Sequence, residues 1–356
     1  MLTIVVPTYC EAPNMALLLH RIRENIAHLM NYEVLIVDDN SPDDVAEVVS
    51  DLAAEFPVRL LQPEGRERDL SLSVIEGIAA APHDLIIVMD ADLSHPPEKI
   101  PEMYELLRQH DSTFVLGSRY VTGGSFDRKW SLWRFLNSHI ATLLTSPLIK
   151  CADPMSGFFG FDRKRILIDE LRPIGYKIGL ELMVRGDFES VSEVPIRFQD
   201  REIGESKMNF TQQRRFLQHL CRLYRARFGS SRIISYLAVG FSGFLVDLVV
   251  YLLLQVADVP HHLARAGAFW PAALWNFWLR GRSDAKTHGR RYVPRPWFLV
   301  SSLVGFSASC GSYVLLTSQI PFFDEFRLMA FLLGIAAASV VNFLLTSLHL
   351  YTEKRF

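Results

Sequence analysis

Cysteine is scarce in this chain: Cys10, Cys151, Cys221 and Cys310 are the four in 356 residues, and no two form a CxxC pair. That spacing argues against a thiolate zinc site or a disulfide framework and fits a reducing compartment. The opening Met1–Pro7 is a short strand-like run without a basic leader, so no cleavable signal peptide is expected. Charge is also scarce, but in one part alone. Residues 230–356 hold 11 Lys and Arg and 6 Asp and Glu, against 26 and 33 in residues 1–229. The net charge of −2 therefore sums an acidic first part and a basic second part, and nucleic acid is not an expected partner.

Four apolar stretches follow residue 230: Ile233 to Val256, Leu263 to Leu279, Trp297 to Ile320 and Leu328 to Tyr351. The last two contain no Asp, Glu, Lys or Arg, and each exceeds the roughly 20 residues that a bilayer core requires. All four are expected to be transmembrane helices (233–256, 263–279, 297–320 and 328–351). Asp247 in the first and Arg265 in the second soften their limits, and a buried core helix stays open for the second. The segment Gly281 to Pro296 carries Arg282, Lys286, Arg290, Arg291 and Arg295, whereas Ala257 to His262 has no Lys or Arg and Pro321 to Arg327 has one. By the positive-inside rule the basic loop is cytoplasmic, which puts the first 230 residues and the tail Thr352–Phe356 on the same side.

The first part alternates between two periods. Strands are expected at Leu2–Val6, Glu33–Val37, Val58–Leu61, Leu85–Met89 and Thr113–Leu116, with helices at Asn14–Leu29, Asp43–Phe56, Ser71–Ala81 and Pro97–Gln109. Continuous apolar strands alternating with helices predict an α/β fold with a mostly parallel sheet covered on both faces. Ligands bind such sheets beyond the carboxyl ends of the strands. The polar clusters "PTYCEAPN", "DDNSPDD", "DADLSH" and "GSRY" fall there.

In "MDADLSHPPE" an apolar strand runs into Asp90 and Asp92. Carboxylates at i and i+2 on extended backbone face one small volume. Their repulsion is relieved if a hard cation, Mg²⁺ or Mn²⁺, sits between them and an anionic substrate.

The motifs "IVVPTYCEAPN", "VLIVDDNSPDD", "DLIIVMDADLSHPPE", "GSRYVTGG", "DPMSGFFGF", "GYKIGLE" and "FQDREIGESKM" together resemble family 2 glycosyltransferases, specifically the polyprenol phosphate mannose synthases, over residues 1–210. The remainder, with "YLAVGFSGFLVDLVVY" and "WNFWLRGR", is similar to a four-helix GtrA-type membrane domain. The resemblance implies a Rossmann-like GT-A catalytic domain (1–208), an amphipathic interface helix (209–229) and an all-α four-helix transmembrane domain (230–356). It makes Asp92 the direct metal ligand and Ser94, where many relatives have Gln, the second. Pro7, Tyr9 and Glu11 form the nucleobase pocket by the same resemblance, with Val37 and Asp39 holding base and ribose. Asp90 and Ala91 complete the nucleotide-sugar site. Arg119, Arg201 and Lys207 take the diphosphate and act with Asp92 in catalysis, while Arg134 and Ser138 take the acceptor phosphate. One departure stands at "RDLSLSVIEG", where relatives often carry a glycine-rich "GLG" and this chain keeps Ser71 and Ser73.

"NFTQQRRFLQHLCRLYRARFG" mixes Phe216, Leu217, Leu220, Leu223 and Tyr224 with Arg214, Arg215, Arg222, Arg225 and Arg227 in a helical pattern suited to anionic headgroups. A packed surface helix is the other reading. The expected activity is inverting transfer of mannose from GDP-mannose to a polyprenyl (dolichyl) monophosphate in the bilayer. Glucosyl transfer from UDP-glucose and transport of a lipid-linked sugar by the membrane part are the alternatives.

Overall fold

The computed structural model describes residues 1–28, 31–65, 67–110, 112–126, 132–198, 210–288 and 296–353. It forms two compact units, Met1–Arg227 and Phe228–Phe356.

In the first unit the chain runs β1 (Leu2–Thr8), α1 (Ala12–Ile26), β2 (Tyr32–Asp38), α2 (Val45–Leu52), β3 (Val58–Leu61), α3 (Leu70–Ala80) and β4 (Leu85–Val88). It continues through α4 (Ile100–Gln109), β5 (Thr113–Ser118), β6 (Ser125–Phe126), α5 (Leu132–Thr145), β7 (Phe159–Asp162), α6 (Ile178–Arg185), β8 (Ser190–Pro195), β9 (Arg197–Phe198) and α7 (Phe210–Phe228). Seven strands make one sheet in the order β3-β2-β1-β4-β7-β5-β8. All pairs are parallel except those of β7, which runs antiparallel to both β4 and β5. The five expected strands are present; the antiparallel insertion of "FGFD" was not foreseen.

Alternate side chains of the buried strands feed two cores. Ile4, Val6, Val34 and Ile36 pack with Leu18, Leu19 and Ile22 of α1 and Met103 and Leu107 of α4, while Val5, Leu35 and Val37 pack with Val74 and Ile78 of α3 and Leu182 of α6. Each fully buried aliphatic side chain contributes about 1.5–3 kcal/mol, so both faces must stay covered. Helix α3 lies very close to the sheet: a Cβ at Gly77 would come within 2.5 Å of Val5 and 2.9 Å of Val37. Neighbours β2 and β4 leave β1 in opposite directions, which makes the carboxyl end of β1 a topological switch point where a crevice opens.

The second unit contains α8 (Ser230–Val256), α9 (His261–His288), α10 (Pro296–Gln319), the short α11 (Pro321–Glu325) and α12 (Arg327–Glu353). The four long helices cover the four apolar stretches of the sequence. Among the described residues one segment, Ala238–Val256, is long and apolar enough to cross a membrane. Close helix approach relies on glycine: a Cβ at Gly243 would strike the Asn276 side chain of α9 at 2.2 Å, and one at Gly334 would sit 2.8 Å from the Ser309 carbonyl of α10. The two charges that interrupt the apolar runs are each other's partners. Arg265 donates to Asp247 at 2.8 Å and to the Ser309 hydroxyl, and its guanidinium lies 4.8 Å from the Phe331 ring centroid of α12. One buried cation of α9 thus touches the other three long helices.

Candidate active site

The loops at the strand ends are tied to one another. Cys10 N–H donates to Ser41 Oγ at 2.9 Å, and both the Ser41 N–H and its hydroxyl donate to the buried Asp38 carboxylate. Gln62, after β3, donates to the same carboxylate at 3.0 Å. Asp38 is thereby the knot joining the loops after β1, β2 and β3. Beside it, Asp39 N–H donates to Thr8 C=O at 3.0 Å, and Glu11 accepts from Asn14 Nδ2 at 2.6 Å.

At the end of β4, Met89 N–H still pairs with Val5 C=O at 3.1 Å, so Asp90 leaves from extended backbone. Asp90 N–H donates to His95 Nδ1 at 3.0 Å, which puts the proton of a neutral imidazole on Nε2. Burial holds the His95 pKa below its ordinary value against the pull of Asp90 and Asp92. The ring stacks on Phe158, with centroids 5.3 Å apart. Gly157 of "DPMSGFFGF" lies against this pair, since its added Cβ would be 3.3 Å from the imidazole and 3.4 Å from the Asp90 carboxylate. Ser94 N–H donates to Asp92 Oδ1 at 3.1 Å through a turn in which Leu93 takes φ +62°.

Ser94 Oγ is buried without a hydrogen-bond partner among the described residues. A buried hydroxyl oxygen costs free energy when left unsatisfied. Together with the Asp92 carboxylate next to it, it offers hard oxygen ligands. Among the described residues no group of three His, Cys, Asp or Glu side chains could hold a metal. This donor set fits Mg²⁺-type binding, in which a carboxylate and substrate phosphates supply most protein and ligand oxygens.

A cleft of about 370 Å³ opens at these strand ends, lined by Pro7, Tyr9, Glu11, Asp39, Asp90, Ala91 and Asp92. All seven are residues that the sequence nominates. Val37 differs: its side chain is buried beneath α3. Arg119 turns its fork to the fully buried Asp153, with Nε and Nη2 each 2.7 Å from a carboxylate oxygen and its own N–H at 3.0 Å. Burial disfavours the Arg119 charge, and the bonds to Asp153 outweigh it and raise the pKa. The pair holds the "DP" loop against the end of β5. Ser138, on α5, lies where Tyr120 Oη donates to its hydroxyl at 2.8 Å. The Arg134 side chain, Arg201 and Lys207 lie outside the described residues. A larger cavity, about 520 Å³, is lined by Asp84, Arg163, Lys164 and Ile166 to Glu170 at the amino end of β4. It contains none of the nominated residues and lies away from the crevice.

Sequence reasoning missed Arg68, Asp69, Leu70, Gly175, Tyr176 and Gln212 in the cleft wall, and it named Ser73 only as a replacement for glycine and Arg215 only for lipid headgroups, whereas both line the cleft. Asp69 is a legible N-cap, accepting from Ser71 and Leu72 N–H at 2.9 and 3.1 Å. Gly175 takes φ +77°, and its carbonyl accepts from Ser71 Oγ at 2.6 Å. Gln212 and Arg215 arrive from α7, whose docking no local pattern announces. His219, Leu220 and Leu223 of α7 are buried. The Glu181 carboxylate of α6 accepts from His219 Nε2 at 2.6 Å, Arg185 Nε at 2.5 Å and Arg172 N–H at 2.9 Å. Burial pushes the Glu181 pKa up, but these donors and the Arg185 charge prevail and lower it. One face of α7 is therefore packed, while Leu217, Arg214, Arg225 and Arg227 remain exposed.

Two family models match the chain: "Glycosyl transferase family 2" over residues 3–167 and "GtrA/DPMS, transmembrane domain" over residues 235–351. The chain is 37% identical over 279 residues to the dolichol-phosphate mannosyltransferase of Pyrococcus furiosus, covering 77% of this chain and 78% of that one. It is 39% identical to the dolichol-phosphate mannosyltransferase of Mycosarcoma maydis, with 67% and 83% covered. The corresponding enzyme of Saccharomyces cerevisiae is 37% identical, with 66% and 91% covered. A cleft at the switch point of the sheet, the matched helical unit and relatives of this identity and coverage lead to one family: the chain belongs to the dolichol-phosphate mannosyltransferases of glycosyl transferase family 2.

Proposed function

We propose that the chain transfers mannose from GDP-mannose to a membrane polyprenyl monophosphate, inverting the sugar carbon to give a β-linked mannosyl phosphate. The observation that carries this reading is the gathering of Tyr9, Glu11, Asp39, Asp90 and Asp92 around one cleft at the strand ends. The relatives' names support the sugar and the lipid class.

In this reading the Tyr9 ring gives the base an apolar face and Glu11 accepts from guanine N–H donors. Asp39 holds the ribose, and Asp90 and Ala91 border the sugar diphosphate. Asp92 and Ser94 hold Mg²⁺ or Mn²⁺. Such an ion supplies Lewis-acid neutralisation of charge on a departing diphosphate. Arg201 and Lys207 add fixed positive charge for the same leaving group. Arg119, which the resemblance assigns to the diphosphate, has Nε and Nη2 committed to Asp153 and in this reading steadies the adjoining loop instead of taking the leaving group. Arg134 and Ser138 take the acceptor phosphate and aim its oxygen at the anomeric carbon. A phosphate monoester has a second pKa of about 6, so near pH 7 the nucleophile is already ionised and no side chain need remove a proton. Displacement in one step then inverts an α-linked donor.

The domain assignment belongs to the same proposal: residues 1–208 catalyse, the 209–229 helix meets the headgroups and residues 230–356 anchor the chain. The basic segment 281–296 between the second and third apolar stretches is cytoplasmic in this reading, which puts the catalytic unit and the C-terminus on the same side. The test is to incubate the purified full chain in detergent with a polyprenyl phosphate, Mg²⁺ or Mn²⁺, and either GDP-mannose or UDP-glucose, following the sugar into the lipid phase. Metal-dependent label from GDP-mannose is expected. Label from UDP-glucose alone overturns the donor assignment.

A further inference from the structure

The nucleobase pocket contains a planar cation that no motif nominates. Arg68 lines the cleft, and its guanidinium carbon lies 4.0 Å from the centroid of the Tyr9 ring. Tyr9 lines the same cleft and is 40% exposed.

The segment that carries Arg68 is held at both ends. Gln62 donates to the buried Asp38, and the Pro63 carbonyl accepts from Asn40 Nδ2 at 2.9 Å. On the far side Asp69, the next residue, caps α3. These ties fix Gln62, Pro63 and Asp69 on either side of Arg68, whose long side chain retains reach. A separation of 4.0 Å is a single van der Waals layer, so no base fits between the two groups as they stand. A base that takes the face of Tyr9 must lift the guanidinium outward by one layer. The guanidinium then meets the second face of the base, a contact that Arg makes readily because it is planar, delocalised and weakly hydrated.

We propose that Arg68 is a nucleobase clamp, stacking on Tyr9 when the cleft is empty and on the outer face of the donor base when it is filled. This deepens the proposed function and rests on the reading of the cleft as a nucleotide site. The clamp gives the base a two-sided contact and also covers the aromatic face between turnovers. It acts through a π-surface, so it adds affinity for nucleotides generally and leaves the choice of guanine to Glu11.

The experiment is calorimetric titration of GDP, with Mg²⁺, into the full chain in detergent, comparing the native protein with Arg68→Ala and Arg68→Trp. Thermal unfolding of each variant checks that the fold is retained. Arg68→Ala is expected to weaken GDP about tenfold, the loss of one stacking face. Arg68→Trp, which keeps a planar surface and discards the charge, is expected to recover most of that loss. The Arg68→Ala deficit should persist when salt is raised, because stacking is screened little. Equal GDP affinity in the native chain and Arg68→Ala overturns the clamp. So does a tryptophan variant as weak as the alanine one with a deficit that salt erases, the signature of a charge contact to the diphosphate. A native chain that fails to bind GDP at all instead removes the nucleotide reading beneath it.

Discussion

In the sheet unit Arg119 forks onto Asp153 and ties the "DP" loop to the end of β5, whereas in the helical unit Arg265 meets Asp247 among four apolar helices. The two pairs use the same chemistry under different constraints. Asp153 accepts three N–H bonds from Arg119 and fixes a loop beside residues that would touch substrate. Asp247 and Arg265 neutralise each other in a unit whose solvent is taken to be lipid, where an unpaired charge is costly. A buried pair can thus position a loop or permit a helix to remain in an apolar surrounding, and its location decides which.

The largest effect is expected outside both pairs. Asp92→Ala should lower transfer about a thousandfold or more while the melting temperature holds, since the leaving diphosphate loses its main counter-charge. Turnover near the native rate at saturating Mn²⁺ would contradict that assignment. Asp153→Asn should follow, destabilising the sheet unit by about 3–5 kcal/mol, as removal of one partner of a buried pair does, and cutting transfer with it. Replacing both Arg119 and Asp153 by leucine should recover stability in denaturant titration but not transfer. In the helical unit Arg265→Leu should cost about 3 kcal/mol, whereas the double change Asp247→Leu with Arg265→Leu recovers it and spares transfer per folded molecule. Recovery of transfer by the double change in the sheet unit would erase the contrast between the two pairs.

A smaller effect concerns α7. The folded pKa of Glu181 is depressed, so its contribution is present above the unfolded value of about 4.3 and is lost as pH falls through the folded value. The protection factors of the α7 amides, corrected for the intrinsic exchange rate at each pH, should therefore fall below that window in the native chain, and Glu181→Gln should remove that dependence. Protection of α7 that ignores pH would show that Leu220 and Leu223 carry the docking by themselves. Smallest of all, Ser94→Ala should cost transfer about tenfold, less than Asp92→Ala because a neutral oxygen is replaceable by water.

Much of this was legible in the chain. Apolar patterning located β1 to β5 and the helices between them, the strand-end rule picked out the polar clusters and the Asp90–Asp92 pair, and the family resemblance singled out Tyr9, Glu11 and Asp39. Those signals are local, because a strand and its exit turn lie side by side in sequence. What escaped was non-local. Strand β7 turns antiparallel because it is inserted between β4 and β5, which its own four residues cannot announce. Arg215 and Gln212 reach the cleft because Glu181, some thirty residues upstream, anchors α7 through His219. Asp247 and Arg265 interrupt two separate apolar runs of the sequence, and only their 2.8 Å contact in the fold pairs them.

The central claim is that the cleft at the ends of β1, β2 and β4 holds a metal-bound nucleotide. Its most direct test is a crystal structure of the full chain with GDP and Mn²⁺, read by anomalous scattering. The account predicts one manganese peak at bonding distance from Asp92, with Ser94 bound directly or through one water, and guanine against the Tyr9 ring. A peak elsewhere, or GDP seated in the cavity beside Asp84 and Lys164, would contradict it.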